Sequence, residues 1–248
     1  MCATLYKLIR YSNRLTPIAL DTADNKYIFY DEDGTKGKNI IKTHDHFIPI
    51  PAPDNVVYIS GRRGAGKSTF CSMYMNMYYE HTGNRVFLIS KHESDPSIEM
   101  PKRAIRIPIA DVVGVSLDEL SNSLIVFDDI TDASLSTKES AELYKYIVDA
   151  IENSRHNNIS ILITSHMMAD YKKTRPFLYE SSALVFFPKN SNTSQIDKVL
   201  RGYYSMNSSQ IQTLLSLKSR WVYVSTTGPK YVIADNIMYT YAYEGSRH

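Results

Sequence analysis

The stretch VVYISGRRGAGKSTF, residues 56–70, decides how the rest of the chain is read. An apolar run of strand length meets a loop in which Gly61, Gly66, Lys67 and Ser68 satisfy G-x-x-x-x-G-K-[ST], and a helical pattern follows at once. This composition has a physical reason. Glycines let successive backbone N–H groups turn inward around phosphate oxygens, and the helix behind them adds the partial positive charge of its N-terminus. Lys67 is placed to reach the outer phosphates, and Ser68 to offer its hydroxyl to Mg²⁺.

The cradle as a whole comprises Gly61, Arg62, Arg63, Gly64, Ala65, Gly66, Lys67, Ser68 and Thr69, and its expected ligand is ATP with Mg²⁺. Arg62 and Arg63 are unusual, because such loops commonly carry small or neutral residues there. One of them is expected to contact phosphate and the other to face solvent, and the sequence does not say which. The helix after the loop repeats Phe70, Met73, Tyr74, Met77 and Tyr78 on one face and stops at Gly83, the pattern of a core-facing helix rather than a ligand box.

A bound nucleotide brings a metal, and Mg²⁺ needs a carboxylate that a glycine loop cannot supply. LIVFDD, residues 124–129, provides it: an apolar run carries Asp128 and Asp129 to the C-terminal edge of a buried strand, where ligands sit in open α/β sheets. Asp128 is the expected metal acid, together with Ser68, and Asp129 the expected activator of the attacking water. A solvated strand end is the plainer reading of such a pair, and the upstream loop outweighs it.

The run ISILITS, residues 159–165, is read as the neighbouring strand, ending in Thr164, Ser165 and His166. Ser165 and His166 are the candidates for sensing the terminal phosphate, although His166 fits a helix cap or a packing position equally well. Arg155, in SRHNN just upstream, is a candidate for a finger reaching a neighbouring subunit's nucleotide, with Arg175 as the competing choice. A surface role is the plainer reading of either.

Apolar runs at residues 56–60, 86–90, 124–128 and 159–165 alternate with helical patterns, so the fold class is α/β with a mainly parallel sheet covered on both faces. Ser136 and Glu139 stand in capping-box spacing ahead of Leu143, Ile147 and Ile151. ALVFF at 183–187 reads as a further strand, two short helical patterns follow, and WVYVSTT and KYVIAD around Gly228-Pro229 read as a C-terminal hairpin. Residues 1–50, with KYIFY at 26–30 and prolines at 49, 51 and 53, are expected to form a β-rich extension, and residues 51–248 the main domain.

The 248 residues suffice for a sizeable core, and the net charge of +2 argues against a surface that coats nucleic acid throughout. Two cysteines, Cys2 and Cys71, make no disulfide framework, and no apolar run is long enough to span a membrane, so an intracellular soluble protein is expected. His44 and His46 flank Asp45 without further ligands nearby and are read as a surface loop rather than a metal site. KRAIR at 102–106 and DYKKTR at 170–175 are basic clusters suited to gripping DNA phosphates, or simply solvated charge.

Taken together, GRRGAGKST, VFLISKHESD, SLIVFDDI and NSRHNNISILITSH with Arg175 after it resemble the genome-packaging ATPases of large DNA viruses, the poxvirus-type branch of the FtsK-HerA P-loop ATPases. The resemblance spans residues 56–188, about half the chain. It implies a RecA-like ATPase of the ASCE type and a homo-oligomeric ring. It also implies double-stranded DNA and capsid vertex or portal proteins as partners, and a place in the host cytoplasm at the viral factory or in association with the virion. By motif position Lys67, Ser68, Asp128 and Asp129 inherit their roles, and Arg155 that of the trans-acting finger. Two departures stand out: Ser165-His166 replaces the amide sensor of much of the group, and Asp129 replaces a glutamate one methylene longer. The competing readings are a phosphotransferase for small substrates, which would want a lid with paired arginines that is not visible here, and a nucleotide-binding assembly factor without motor action.

Overall fold

All seven residues of ISILITS are buried in the computed structural model of the chain, and this run forms one of the middle strands of a ten-stranded sheet. A strand so placed has no polar face to offer, which is why the run reads as continuous apolar text rather than an alternation. The structure describes residues 15–31, 40–90, 95–129, 136–170, 173–227 and 230–240. The expected Gly228-Pro229 turn, Cys2, the KHES portion of the VFLISKHESD motif and Tyr171-Lys172 of the second basic cluster lie outside them.

In chain order the strands are β1 (Leu15–Asp21), β2 (Lys26–Asp31), β3 (Ile40–Lys42), β4 (Phe47–Pro49), β5 (Val56–Ser60), β6 (Arg85–Ser90), β7 (Ala104–Pro108), β8 (Ser123–Asp128), β9 (Ile159–Ser165), β10 (Ala183–Phe186), β11 (Val222–Ser225), β12 (Tyr231–Ala234) and β13 (Ile237–Thr240). The helices are α1 (Lys67–Thr82), α2 (Thr137–Asn153), α3 (Arg175–Glu180), α4 (Thr193–Tyr204) and α5 (Ser208–Leu215). The large sheet runs β3-β13-β12-β11-β10-β5-β9-β8-β6-β7. From β10 through β7 every pairing is parallel, and from β11 outward every pairing is antiparallel. The α/β sheet expected from the sequence is therefore present, and the expected C-terminal pair, β11 with β12, is part of a four-stranded antiparallel wing that β13 and the early strand β3 complete.

β1, β2 and β4 form a separate three-stranded antiparallel sheet, whereas β3 leaves it to pair with β13. The segment before residue 50 is thus divided between two sheets. β7 falls on the stretch read as a basic cluster, and Arg106 sits in its ladder opposite Leu88.

Two apolar cores lie on the two faces of the sheet. One gathers Phe127, Ile147, Ile163, Phe177 and Leu200, from the face that carries α2, α3 and α4. The other gathers Phe70, Tyr74, Val126, Phe187 and Tyr223, from the face that carries α1. Each fully buried Ile, Leu or Phe contributes roughly 1.5–3 kcal/mol relative to exposure. α1 buries Phe70, Tyr74, Met77 and Tyr78 of the expected stripe, with Met73 partly covered, and ends at Gly83 with φ 70°. α2 opens with the expected capping box, Ser136 accepting from Glu139 N and Glu139 accepting from Ser136 N.

Candidate nucleotide-binding site

Three adjacent parallel strands, β5, β9 and β8, end on the same edge of the sheet, and each delivers one part of the site. β5 leads into the phosphate loop, whose backbone enters the left-handed region at Gly64 (φ 76°) and Gly66 (φ 109°) before α1 begins at Lys67. A side chain at Gly66 would be strained at that φ. At Gly61 the reason for glycine is contact: a Cβ would stand 2.6 Å from Phe187 Cδ2. Gly61 N donates to Ser165 O at 3.1 Å, which ties the loop to the end of β9.

The acids stand at the end of β8. Asp128 is buried and accepts from Thr164 Oγ1 at 2.9 Å, while the same oxygen of Thr164 accepts from Asp129 N at 2.8 Å. Asp129 adopts φ 55°, a left-handed conformation that a non-glycine residue takes at some cost. One threonine hydroxyl therefore holds both members of the pair, and the sharp backbone turn sets where the short Asp129 side chain begins.

His166, just beyond β9, joins the two halves. Its Nδ1 lies 3.0 Å from Lys67 Nζ and its Nε2 lies 3.0 Å from Asp129 Oδ2. The two contacts fit the tautomer in which Nδ1 accepts from Lys67 and Nε2–H donates to Asp129. Lys67 Nζ also donates to Gly61 O at 2.9 Å and to Arg62 O at 3.4 Å. The loop and the acidic tip, some sixty residues apart in sequence, thus share one chain of hydrogen bonds.

Burial pulls the Lys67 ammonium below its usual range, and the nearby charges of Asp129 and Asp128 resist that pull. Burial also pushes Asp128 above the usual carboxylate range; the Thr164 hydrogen bond works against the rise, and Asp129 and Asp95 add to it. Asp129 Oδ1 is buried and has no hydrogen-bond partner among the described residues. A buried acceptor of this kind calls for a water or a cation. The acids and the orphaned oxygen therefore fit an Mg²⁺ ion that takes Asp128 and Ser68 from the protein and its remaining ligands from phosphate and water. Among the described residues no cluster of three His, Cys, Asp or Glu side chains forms a metal cage of its own.

A cavity of about 680 Å³ opens over these groups, lined by Arg63, Gly64, Gly66, Lys67, Ser68 and Thr69 from the loop side and by Asp128, Asp129 and His166 from the strand ends. Asp95 and Ser97, from the segment after β6, complete it. Sequence reading missed these last two, whose only signal is a Ser-Asp-Pro-Ser turn with Asp95 Oδ1 accepting from Ser97 N. The two loop arginines separate: Arg63 lines this cavity, whereas Arg62 lines a smaller one.

Ser165 is fully buried, its Oγ accepts from Met167 N at 3.0 Å, and it does not line the cavity. Of the three polar residues at this strand end, Thr164 and His166 are the ones brought to the acids. Arg155 lies exposed in the turn before β9, at the sheet edge opposite the site and on the order of 20 Å away along the seven-residue strand. Arg175 begins α3, with its guanidinium 5.3 Å from the centre of the Tyr179 ring. Cys71 is buried and its thiol is pushed up by burial, as an inert core residue requires. Near the N-terminus His46 Nδ1 lies 2.8 Å from Asp45 and belongs to an exposed turn with Thr22.

No protein-family model matches the chain. A protein of the Sputnik virophage, "Uncharacterized protein V3", is 33% identical over 219 residues, spanning 85% of this chain and 88% of that one. Among solved structures, the genome-packaging NTPase B204 from Sulfolobus turreted icosahedral virus 2 in complex with ATP-gammaS superposes with a TM-score of 0.51 at 10% identity, covering 74% of this chain and 98% of that chain. The pCW3 conjugation coupling protein TcpA with ATPgS gives a TM-score of 0.55 at 12% identity, covering 94% and 80%. At these low identities the two structures speak to the fold, which is that of the P-loop ATPases. The chain belongs to the family of Sputnik virophage protein V3, and it fits a packaging-type ATPase of the FtsK-HerA group.

Proposed function

We propose that the protein hydrolyses ATP and uses the energy to drive double-stranded DNA into a preformed capsid. The observation that carries the reading is the continuous hydrogen-bonded chain from Lys67 through His166 to Asp129, with Asp128 and Thr164 beside it. Such a chain sets a phosphate-binding cation, a metal-binding acid and a second acid around one cavity, the minimum set for phosphoanhydride hydrolysis. Bound Mg²⁺ would supply charge neutralisation for the transferred phosphoryl group. Lys67 and the loop N–H groups hold the phosphates, Arg63 adds a cation at the rim, and Asp129 accepts a proton from the attacking water. His166 orients Asp129 in place of the amide sensor of related proteins.

DNA as the moving substrate is supported by the likeness in fold to a viral packaging NTPase and a conjugation coupling protein. A homo-oligomeric ring at a capsid vertex, in the infected host cell or on the virion, belongs to the same proposal, with the viral relative as its support. No helix among the described residues is long and apolar enough to cross a membrane. The deciding experiment is the ATPase rate with and without long double-stranded DNA at low salt. Stimulation that fades as salt rises is the expected result, because contacts to backbone phosphates release counterions. A rate indifferent to DNA, with phosphate transferred to a nucleoside instead, would move the protein to the phosphotransferases.

A further inference from the structure

The side chain of Arg62, unlike that of Arg63, does not line the nucleotide cavity. It lines a second cavity of about 130 Å³ together with His166, Met168, Ser191, Asn192 and Gln195. His166 lines both cavities, and Gly61, whose carbonyl accepts from Lys67 on the nucleotide side, lines the second as well. The imidazole and the loop backbone are therefore the partition between them.

The two sides of this partition differ in charge. Arg63 and Lys67 share the nucleotide side with Asp95, Asp128 and Asp129, whereas Arg62 lines the other with no carboxylate among the described residues. What the second cavity offers is a guanidinium, a carboxamide from Gln195 in the first turn of α4, and the hydroxyl of Ser191. Ser191 Oγ is buried and has no hydrogen-bond partner among the described residues, and buried hydroxyls in native proteins are satisfied by protein, water or ligand. The volume is several times the share of one water molecule, about 30 Å³, so a tetrahedral oxyanion has room.

We propose that this second cavity is a phosphate-accepting subsite, which takes inorganic phosphate across the His166 partition after ATP is cleaved. The proposal rests on the nucleotide reading of the first cavity. The terminal phosphoryl group of the nucleotide belongs where Lys67, His166 and Asp129 meet, and the cations there, Lys67 and Arg63, are shared with three carboxylates. Arg62 offers the released dianion a cation with no carboxylate among the described residues lining its cavity. Arg62 in this account receives the product and does not grip the substrate.

The test is inhibition of the ATPase by added inorganic phosphate, paired with direct titration of phosphate into the nucleotide-free protein. Gln195→Glu places a carboxylate in the second cavity without touching the first. It is expected to weaken phosphate inhibition by about tenfold, the scale of one charge-assisted contact, while KM for ATP stays unchanged. In Lys67→Ala protein, where the loop no longer holds phosphate, titration should still detect binding, and adding Gln195→Glu should remove it. Phosphate inhibition unchanged in Gln195→Glu protein that unfolds at the wild-type temperature overturns the subsite. A wild-type protein without any ATP turnover would instead sink the nucleotide reading. The titration then decides the subsite alone: binding in Lys67→Ala that Gln195→Glu removes supports it, and no binding overturns it.

Discussion

His166 Nε2 stands 3.0 Å from Asp129 Oδ2 while the opposite nitrogen of the same ring faces Lys67 Nζ at 3.0 Å. A neutral imidazole carries one donor and one acceptor, as a carboxamide does. If hydrolysis runs as proposed, His166 in the place of an amide sensor keeps the hydrogen-bonding logic and changes only the shape that carries it.

His166→Ala is expected to lower kcat for ATP by about a hundredfold, in the range for a lost acid–base partner, with KM little altered. His166→Gln restores much of the rate, because its amide offers the same donor and acceptor. Asp129→Asn should bind ATP and fail to cleave it. Steady-state kinetics with a nucleotide-binding assay measure all three, and normal turnover in Asp129→Asn would place water activation elsewhere.

Asp128 is a site where function and stability oppose each other. Burial raises its pKa above the usual 3.8, so the folded protein holds that proton more tightly than the unfolded chain does. The stabilising contribution is full below pH 3.8 and is lost as the pH rises through the folded value. At neutral pH the ionised acid is therefore a net cost. Asp128→Asn is expected to raise Tm at pH 7, with the gain shrinking toward acid pH, and to abolish Mg²⁺-dependent hydrolysis. Thermal melts across the pH range test the sign: a lower Tm at pH 7 would contradict it.

Gly61 is fixed by its neighbour rather than by φ. A methyl group there would meet Phe187 Cδ2 at 2.6 Å and Ala65 Cβ at 3.0 Å. Gly61→Ala should destabilise the fold by about 1–3 kcal/mol, the usual scale of overpacking, and Phe187→Leu in the same chain should recover part of the loss. Chemical denaturation of the single and double variants measures both.

Arg155 lies exposed before the start of β9, at the end of the strand away from its own nucleotide cavity, so any role in hydrolysis must be played in a neighbouring subunit. Mixing Arg155→Ala with Lys67→Ala protein is expected to restore part of the ATPase, since some interfaces then pair an intact loop with an intact arginine. Assembly of both variants without restoration would leave Arg155 as a surface residue and direct the search to Arg175.

Much of this arrangement was legible in the sequence because it is encoded locally. The apolar run Ile159–Ser165 marks a strand buried on both faces, and Ser136 with Glu139 marks the start of α2. The loop and the acids carry their chemistry in residue type alone. What was not legible depends on distant neighbours. β7 mixes partly covered and exposed residues at an outer edge without a regular alternation, with Ile105 and Arg106 adjacent, so basic text concealed a strand. The division of Arg62 from Arg63 is set by which cavity lies on each side of the loop. Asp95 and Ser97 reach the site through the path of the chain after β6, and Ser165 turns inward because its neighbour Thr164 is the residue directed at Asp128.

The pairing of β3 with β13 closes the wing with two pieces from nearly opposite ends of the chain, Ile41 lying opposite Met238. On the ribosome, Ile41 therefore emerges long before its partner is made. At about 5–20 residues per second, the interval is on the order of ten to forty seconds. During it Ile40 and Ile41 wait as an unmatched edge on the nascent chain, while the parallel strands around the phosphate loop already have their neighbours. The nucleotide cradle can thus be assembled before β13 is translated, and the wing locks only once β13 has been made.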